Sequence, residues 1–529
     1  MATVDAGRGE LGGGPAPIPP GPDGRARRRG VLAICSLSLF IVSLDNTIVN
    51  VALPSLQAQF HASVSGLQWV IDAYLLVLAA LLLLSGSSGD RFGRRRVFQL
   101  GLAVFGVGSL LCSLAPSLPA LVVFRMLQAV GGSMLNPNSL SIISSTFTDR
   151  REKAAAIGIW GGVSGLSTAA GPIVGGLLIQ AVDWRAVFWV NIPIVVAAFV
   201  LTRRYVPESR AERPRPLDLP GQGLAVVVLA ALIYGIIGAP ARGWTSTPSL
   251  ACFAVTAVAL VAFLRVEARR EQPLLELRFF RSPPFSGATA IATLAFLVLA
   301  GWLFLNTLYL QEVRGDSALV AGLSTLPATL IIAVVAPLTG RVVGRSGARA
   351  PLVASGLFLA AGTAVLVFDT PTSSYLLLAG GYLLLGLGFG LVNPPISNTA
   401  VTGMPPAQAG TASAVASTAR QVGSALGVAI LGSVVTSQFH RQLADRAAAA
   451  HLSPAGRAHL LHAQLGAGGI GGGGPTGDVL RSAFTAASDA GWLVTTGAGL
   501  AIAVVGAASA GPWALARARH ALDEVDAPS

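Results

Sequence analysis

Three charged side chains share one layer inside stretches otherwise suited only to a lipid bilayer. They are Asp45 in LDNTIVNVALP (44–54), Asp72 in the next apolar run and Arg125 in the fourth. An ionisable group inside a membrane helix is expensive to hold, so it marks a functional site by default. Two carboxylates and one guanidinium can exchange partners. With a proton on one carboxylate the arginine favours the other, which couples protonation to a rearrangement of helices. A static Asp–Arg pair that only fixes helix packing is the competing reading; it accounts for Arg125 and one aspartate and leaves the other unexplained. Asp45 is the stronger candidate for the proton-carrying group. Asp72, nearer the interface, is also open to a reading as a simply solvated side chain.

Such groups must be positioned by spanning helices, and the composition supplies them. Of 529 residues 53% are hydrophobic and 11% charged, with a mean hydropathy of +0.67; soluble domains carry about 25% charged residues. A span needs about 20 mostly apolar residues. That criterion gives about fourteen spans: Val31–Leu53, Leu67–Ser85, Val97–Leu114, Leu118–Ile143, Ala154–Val182, Val187–Leu201, Leu219–Ala239, Leu250–Val266, Phe285–Tyr309, Leu319–Val343, Pro351–Phe368, Tyr375–Val401, Ala412–Thr436 and Trp492–Leu515. At 1.5 Å of rise per residue, Asp45 lies about 12 Å, Asp72 about 8 Å and Arg125 about 10 Å from the outer ends of their spans. The three share one layer.

Loop charges set the orientation. Outer loops hold only Arg185, Arg242, Arg314, Arg441, Arg446, Arg457 and Arg481; nearly all the other basic residues fall on the side of the N-terminus. By the positive-inside rule both ends are cytoplasmic. The net charge of +12 thus reflects topology rather than a nucleic-acid surface. Residues 1–30 read as a disordered cytoplasmic tail. The run from Val31 to Val51 is too long for a cleaved signal sequence.

Six spans (31–202), a linker with two extra spans (203–284) and six more (285–515) imply two related halves. A tail (516–529) closes the chain. Gly/Arg loops at 86–96 and 340–349 occupy equivalent junctions of the two halves. The long outer segment 437–490 reads as a solvated loop joining two polar helical stretches. Its His440, His451, His459 and His462 are too irregularly spaced for a metal site. The three cysteines form neither a disulfide framework nor a metal set.

Two further motifs stand out. In GLSTAAGPIVGGLL (165–178), Pro172 removes a backbone donor and Gly171, Gly175 and Gly176 offer a smooth face for close packing. In the loop GSSGDRFGRRR (86–96), Gly89 and Gly93 permit a tight turn, and Asp90 can hold a gate among Arg91, Arg94, Arg95 and Arg96. Ordinary packing glycines and topology-setting arginines are the bland readings. No Walker loop, HExxH, CxxC or GxSxG setting is present, so neither an enzyme nor a cofactor is expected.

These residues resemble the major facilitator superfamily, in particular its fourteen-span drug:proton antiporters of the EmrB/QacA type. LDNTIVNVALP resembles the helix 1 motif of that group, with Asp45 on its acidic position. Gly86, Asp90, Arg91, Gly93 and Arg94 fit the loop 2–3 motif, with Ser88 where a larger apolar residue is usual. Arg125, Gln128 and Gly131 fit the helix 4 RxxQGxG pattern, with Ala129 at its first glycine. Gly158, Gly171, Pro172, Gly175 and Gly176 fit the helix 5 antiporter motif, with Ser167 where a glycine is expected. DWRAVFWVNIP (183–193) resembles the junction of helices 5 and 6.

The resemblance implies an all-α integral membrane fold of two six-helix bundles plus two extra central helices. It also implies alternating access, with outward drug movement driven by inward proton flow, and links the helix 4 arginine to proton transfer. A bacterial cytoplasmic membrane, a small-molecule substrate, protons and a functional monomer are the corresponding expectations. Trp69, Gln128, Trp160, Trp302 and Phe389, with Phe296 and Tyr309, are candidates to line a cavity for amphipathic ligands; the aromatics are equally suited to facing lipid or to an interfacial belt. Export of one specific metabolite or amino acid is the alternative function. A non-transporting membrane receptor is a third reading, against which the intramembrane charges speak.

Overall fold

The computed structural model describes residues 22–211, 218–270, 273–402, 409–449 and 475–511, and every regular element among them is helical. The first bundle contains α1 (Pro22–Phe60), α2 (Val64–Phe92), α3 (Arg94–Ser113), α4 (Leu118–Thr146), α5 (Arg150–Ala181) and α6 (Ala186–Tyr205). The extra pair is α7 (Leu219–Arg242) and α8 (Thr247–Arg269). The second bundle contains α9 (Pro283–Leu308), α10 (Ala318–Ser346), α11 (Arg349–Leu366), α12 (Tyr375–Val401), α13 (Ala409–Ala449) and α14 (Pro475–Ser509). Thirteen of these are long and apolar enough to cross a membrane as single helices. The fourteenth, α5, is bent by 43° between Thr168 and Ala170, within one turn of Pro172, which has no backbone N–H to donate.

Local chemistry sets the boundaries. The Ser63 hydroxyl accepts from the Gly66 N–H (3.2 Å) and the Ser117 hydroxyl from the Ala120 N–H (3.4 Å), starting α2 and α4. Gly93 at φ 110° separates α2 from α3, a backbone conformation only glycine takes without strain.

Helix pairing repeats between the bundles. Contacts of α1 with α4, α5 and α6 recur as α9 with α12, α13 and α14, and α3–α4 and α2–α4 recur as α11–α12 and α10–α12. This is the internal repeat expected from the two Gly/Arg loops.

We call the face carrying the start of α1 the terminal face and the opposite one the far face. The bundles meet toward the far face. Gln68 on α2 donates to the Val428 and Ala429 carbonyls of α13 (3.0 Å each), and Gln311 donates to the Val51 carbonyl (3.2 Å). On the terminal-face half of α5 and α10, a Cβ added at Gly158, Gly161, Gly162, Gly165, Gly340 or Gly344 would meet nothing within 4 Å. The bundles are therefore joined at the far face and stand apart between α5 and α10 at the terminal face.

The extra pair covers the α2–α13 seam. Gln222 of α7 bonds the Ala80 carbonyl of α2, Ser433 of α13 donates to the Ile236 carbonyl (2.8 Å), and Trp69 packs against Tyr234 at 5.9 Å. The strap α7 thus binds the first bundle along its length, at Ala80 and Trp69, and the second near the far face. Val258, Leu260 and Val261 of α8 are exposed, as expected of a lipid-facing helix.

Three boundaries differ from expectation. Residues 22–30 belong to α1 rather than a disordered tail: Arg28 pairs with Glu152 (3.2 Å) and Arg27 donates to the Tyr205 carbonyl. Residues 437–449 and 475–490, expected as polar helical stretches of a separate outer loop, run on continuously from α13 and into α14. Their apolar residues Phe439, Leu443, Leu480, Ala483, Phe484 and Ala487 recur at helical spacing and are buried. α14 ends at Ser509, and residues 512–515 of the expected last span lie outside the described residues. Residues 1–21, the linker stretch 212–217, the segment 450–474 with His451, His459 and His462, and the tail 516–529 lie outside the described residues.

Candidate functional site

The first bundle is organised around Asp45. Its Oδ2 lies 2.5 Å from Arg125 Nη1, and its Oδ1 accepts from Gln128 Nε2 (2.9 Å) and Asn191 Nδ2 (3.0 Å). Ser109 Oγ accepts from the same two amides (3.0 and 2.9 Å) and donates to the Phe188 carbonyl (3.2 Å). Arg125 also donates to Gln128 Oε1 (2.6 Å) and from Nε to the Val70 carbonyl (3.3 Å), with its guanidinium 4.0 Å from the Tyr74 ring centroid. All five polar residues are buried, Asp45 at 0% and Arg125 at 2% exposure. Four helices, α1, α3, α4 and α6, therefore share one ionic centre. Such a pair is held only where further hydrogen bonds satisfy each partner, and here amides and a hydroxyl do so.

Close approach of α3 and α4 makes this possible. A Cβ at Gly131 would lie 2.7 Å from both the Phe105 Cα and the Gly101 carbonyl oxygen, so the spacing of Arg125, Gln128 and Gly131 puts two polar groups and one gap on α4.

Asp72 departs from the reading as a solvated side chain. It is fully buried, so it is not a solvated interfacial group, and among the described residues neither carboxylate oxygen has a hydrogen-bond partner. Arg125 reaches Asp45 and not Asp72. Asp72 sits one turn below Gln68 on the face of α2 that meets α13. Depth counting along α2 does not include the packing of other helices against this face.

The other motifs are placed as follows. Asp90 pairs with Arg94 in its own loop (2.8 Å), and the loop clasps the chain after α6. Arg94 N donates to the Ser209 carbonyl, Ala211 N to the Asp90 carbonyl and Arg95 N to Glu208 Oε1. Glu208 also lies 3.9 Å from Arg95 and 3.7 Å from Arg96. A Cβ at Gly93 would collide with Glu208, and one at Gly86 would rest against Pro137. Arg91 is exposed over the Phe92 ring.

On α5, Gly171 and Gly175 face α1 at Thr47 and Ile48. Gly176 and Pro172 face α10: a Cβ at Gly176 would lie 2.6 Å from the Ala318 carbonyl oxygen. Gly158 faces open space and belongs to neither contact.

The five cavity candidates do not converge. Gln128 is part of the Asp45 centre. Trp69 is half-buried against Tyr234, and Trp160 donates to Ser139 Oγ (3.2 Å). Trp302 and Phe389 are buried in the second bundle with Tyr382, at centroid distances from Trp302 of 5.4 Å (Tyr382) and 6.4 Å (Phe389). Sequence reasoning missed Ser109, Tyr74, Asn191 and Glu208 as site residues. Asn191 was visible as the one amide in VFWVNIP, but nothing in one sequence aims it at Asp45.

Comparisons with known proteins agree with this architecture. The chain matches the Major Facilitator Superfamily over residues 35–428. It is 40% identical over 406 residues to the multidrug resistance protein Stp of Mycobacterium tuberculosis, covering 77% of this chain and 75% of the relative. It is 39% identical over 436 residues to the tetracenomycin C resistance and export protein of Streptomyces glaucescens, covering 82% and 80% respectively. Among solved structures, a bacterial homologue of the human lysosomal transporter Spinster, in an inward-facing and unoccupied conformation, matches with a TM-score of 0.66 at 18% identity, covering 95% of this chain and 99% of that one. With a buried ionic centre in one of two repeated six-helix bundles and a family match over most of its length, this chain belongs to the major facilitator superfamily.

Proposed function

We propose that this protein exports amphipathic small molecules, antibiotics among them, in exchange for protons, by alternating access of its two bundles. The observation that carries the proton half is the Asp45–Arg125 centre, buried among four helices, while a second buried carboxyl, Asp72, has no hydrogen-bond partner among the described residues. Charged groups so placed are retained in membranes where they do work. Asp45 and Asp72 are the proton-carrying groups, and Arg125 is the cation whose attachment to Asp45 reports proton occupancy. The substrate half is supported by the names of the two relatives, a multidrug resistance protein and a tetracenomycin C resistance and export protein.

The remaining assignments follow from this reading. The terminal face is cytoplasmic, in a bacterial inner membrane, with both termini inside, and the monomer is the working unit. The conformation described above is then inward-open. Asp90, Arg91 and Arg94, with Gly86 and Gly93, form the inner gating loop. Gly171, Pro172, Gly175 and Gly176 form the seal at the far face, with Gly158 on the open side. Trp69, Gln128, Trp160, Trp302 and Phe389 remain the proposed substrate contacts, reached as the bundles rearrange.

The test is uptake of a panel of cationic, neutral and anionic dyes and antibiotics into proteoliposomes under an imposed pH gradient. Uptake of several members, abolished when nigericin collapses the gradient, supports drug antiport. Uptake of a single solute favours the metabolite exporter, and uptake indifferent to the gradient removes the coupling.

A further inference from the structure

Arg420 is a second arginine within the membrane-spanning part of the chain, only partly exposed, and the Asp45 centre does not use it. It lies 11 residues into α13, about 16 Å along the helix from Ala409. Its Nη2 donates to Ser397 Oγ of α12 (2.9 Å), and its guanidinium stands 5.9 Å from the Phe296 ring of α9. Its Nε has no hydrogen-bond partner, and among the described residues no carboxylate pairs with it. Arg125 and Arg314, by contrast, each have an aspartate.

The direction in which Arg420 points follows from its helix. Gly423 and Gly427 press α13 against Thr293 and Leu297 of α9, while Val428, Ala429 and Gly432 meet Gln68 of α2. The sector between these two contacts faces the space between the bundles. Ser413, Ser417, Arg420 and Ser424 fall on it at i, i+4, i+7 and i+11, whereas Ala412, Val415, Ala416 and Ala419 are buried on other sides. Ser413, Ser417 and Arg420 retain partial exposure. One face of α13 is therefore a polar stripe with an uncompensated cation at its middle and an aromatic ring beside it.

An unpaired guanidinium at this depth is expensive unless something anionic reaches it, and its planar donor set suits an anionic oxygen. We propose that Arg420, with Phe296, Ser397 and Ser417, binds the anionic oxygen of an amphipathic aromatic substrate, such as a carboxylate, phenolate or sulfonate. The proposal rests on the export reading above and names a substrate class for it.

The test uses the full-length protein in nanodiscs and two dyes that share a three-ring frame, fluorescein as the anion and tetramethylrhodamine methyl ester as the cation. Fluorescence anisotropy titrations should show saturable fluorescein binding that weakens about tenfold or more in Arg420→Gln and less in Arg420→Lys. Binding of the cationic dye should stay within about twofold, which also shows that the variant is folded. Absence of saturable fluorescein binding in wild type, unchanged affinity in Arg420→Gln, or parallel loss of both dyes would each overturn the assignment. Export of the two dyes from loaded proteoliposomes separates the two claims. If the cation is exported while fluorescein binding ignores Arg420, only this site fails. If neither dye is exported while fluorescein binding depends on Arg420, only the export reading fails.

Discussion

The Arg125 guanidinium on α4 and the Asp45 carboxylate on α1 meet at 2.5 Å in a layer that solvent does not reach. Removing one partner of a buried pair leaves the other uncompensated and costs about 3–5 kcal/mol. Arg125→Gln should therefore lower thermal stability in detergent clearly more than the double variant Asp45→Asn/Arg125→Gln, which leaves no charge behind. Both should lose coupled transport. Equal stability of the single and double variants would show that the pair is not held as described.

Asn191 and Gln128 supply the amides on Asp45 Oδ1. A hydrogen bond to a charged group contributes about 1.5–3 kcal/mol. Asn191→Ala should slow proton-coupled uptake by about tenfold or more while protein yield and dye binding persist. Asn191→Ser, which restores a short donor, should recover part of the rate.

Gly176 and Gly158 lie on the same helix and should respond oppositely. Leucine at 176 collides with the α10 backbone at Ala318, whereas leucine at 158 enters open space. In a Val51→Cys/Gln311→Cys background, cross-linking reports closure of the far face, because Gln311 reaches the Val51 carbonyl at 3.2 Å. Gly176→Leu should reduce the cross-link yield and transport together; Gly158→Leu should leave the yield unchanged.

Glu208 gathers the loop between α2 and α3 through Arg95 N, Arg95 and Arg96. Glu208→Ala should expose the Arg94–Arg96 stretch to trypsin, with cleavage several-fold faster, as expected when about 1–3 kcal/mol of charged hydrogen bonding is lost. Glu208→Gln keeps the acceptor on Arg95 N and should be cleaved at an intermediate rate.

The sequence made some of these features legible and hid others for physical reasons. Hydrophobic runs and helical rise placed Asp45 and Arg125 at one depth, and the structure brings them into contact. The same arithmetic placed Asp72 near the interface, whereas it is fully buried on the helix whose Gln68, one turn earlier, bonds α13 more than 350 residues away along the chain. Ser109 and Asn191 are small polar residues in apolar helices, and only helix rotation turns them toward Asp45. The helical stretches at the two ends of 437–490 were legible in sequence, but not that they are continuous with α13 and α14 and bury Phe439, Leu443, Leu480 and Phe484. The internal repeat showed as two Gly/Arg turns in sequence and as matching helix pairs in space.

Proton movement on substrate addition tests the central claim most directly. Proteoliposomes loaded with a pH-sensitive dye would hold wild type, Asp45→Asn or Asp72→Asn, and would receive a substrate identified by the uptake panel. Antiport through the buried carboxyls predicts a substrate-dependent proton flux in wild type that disappears in Asp45→Asn and falls in Asp72→Asn. Substrate movement without proton flux in wild type, or undiminished flux in both variants, would contradict the account.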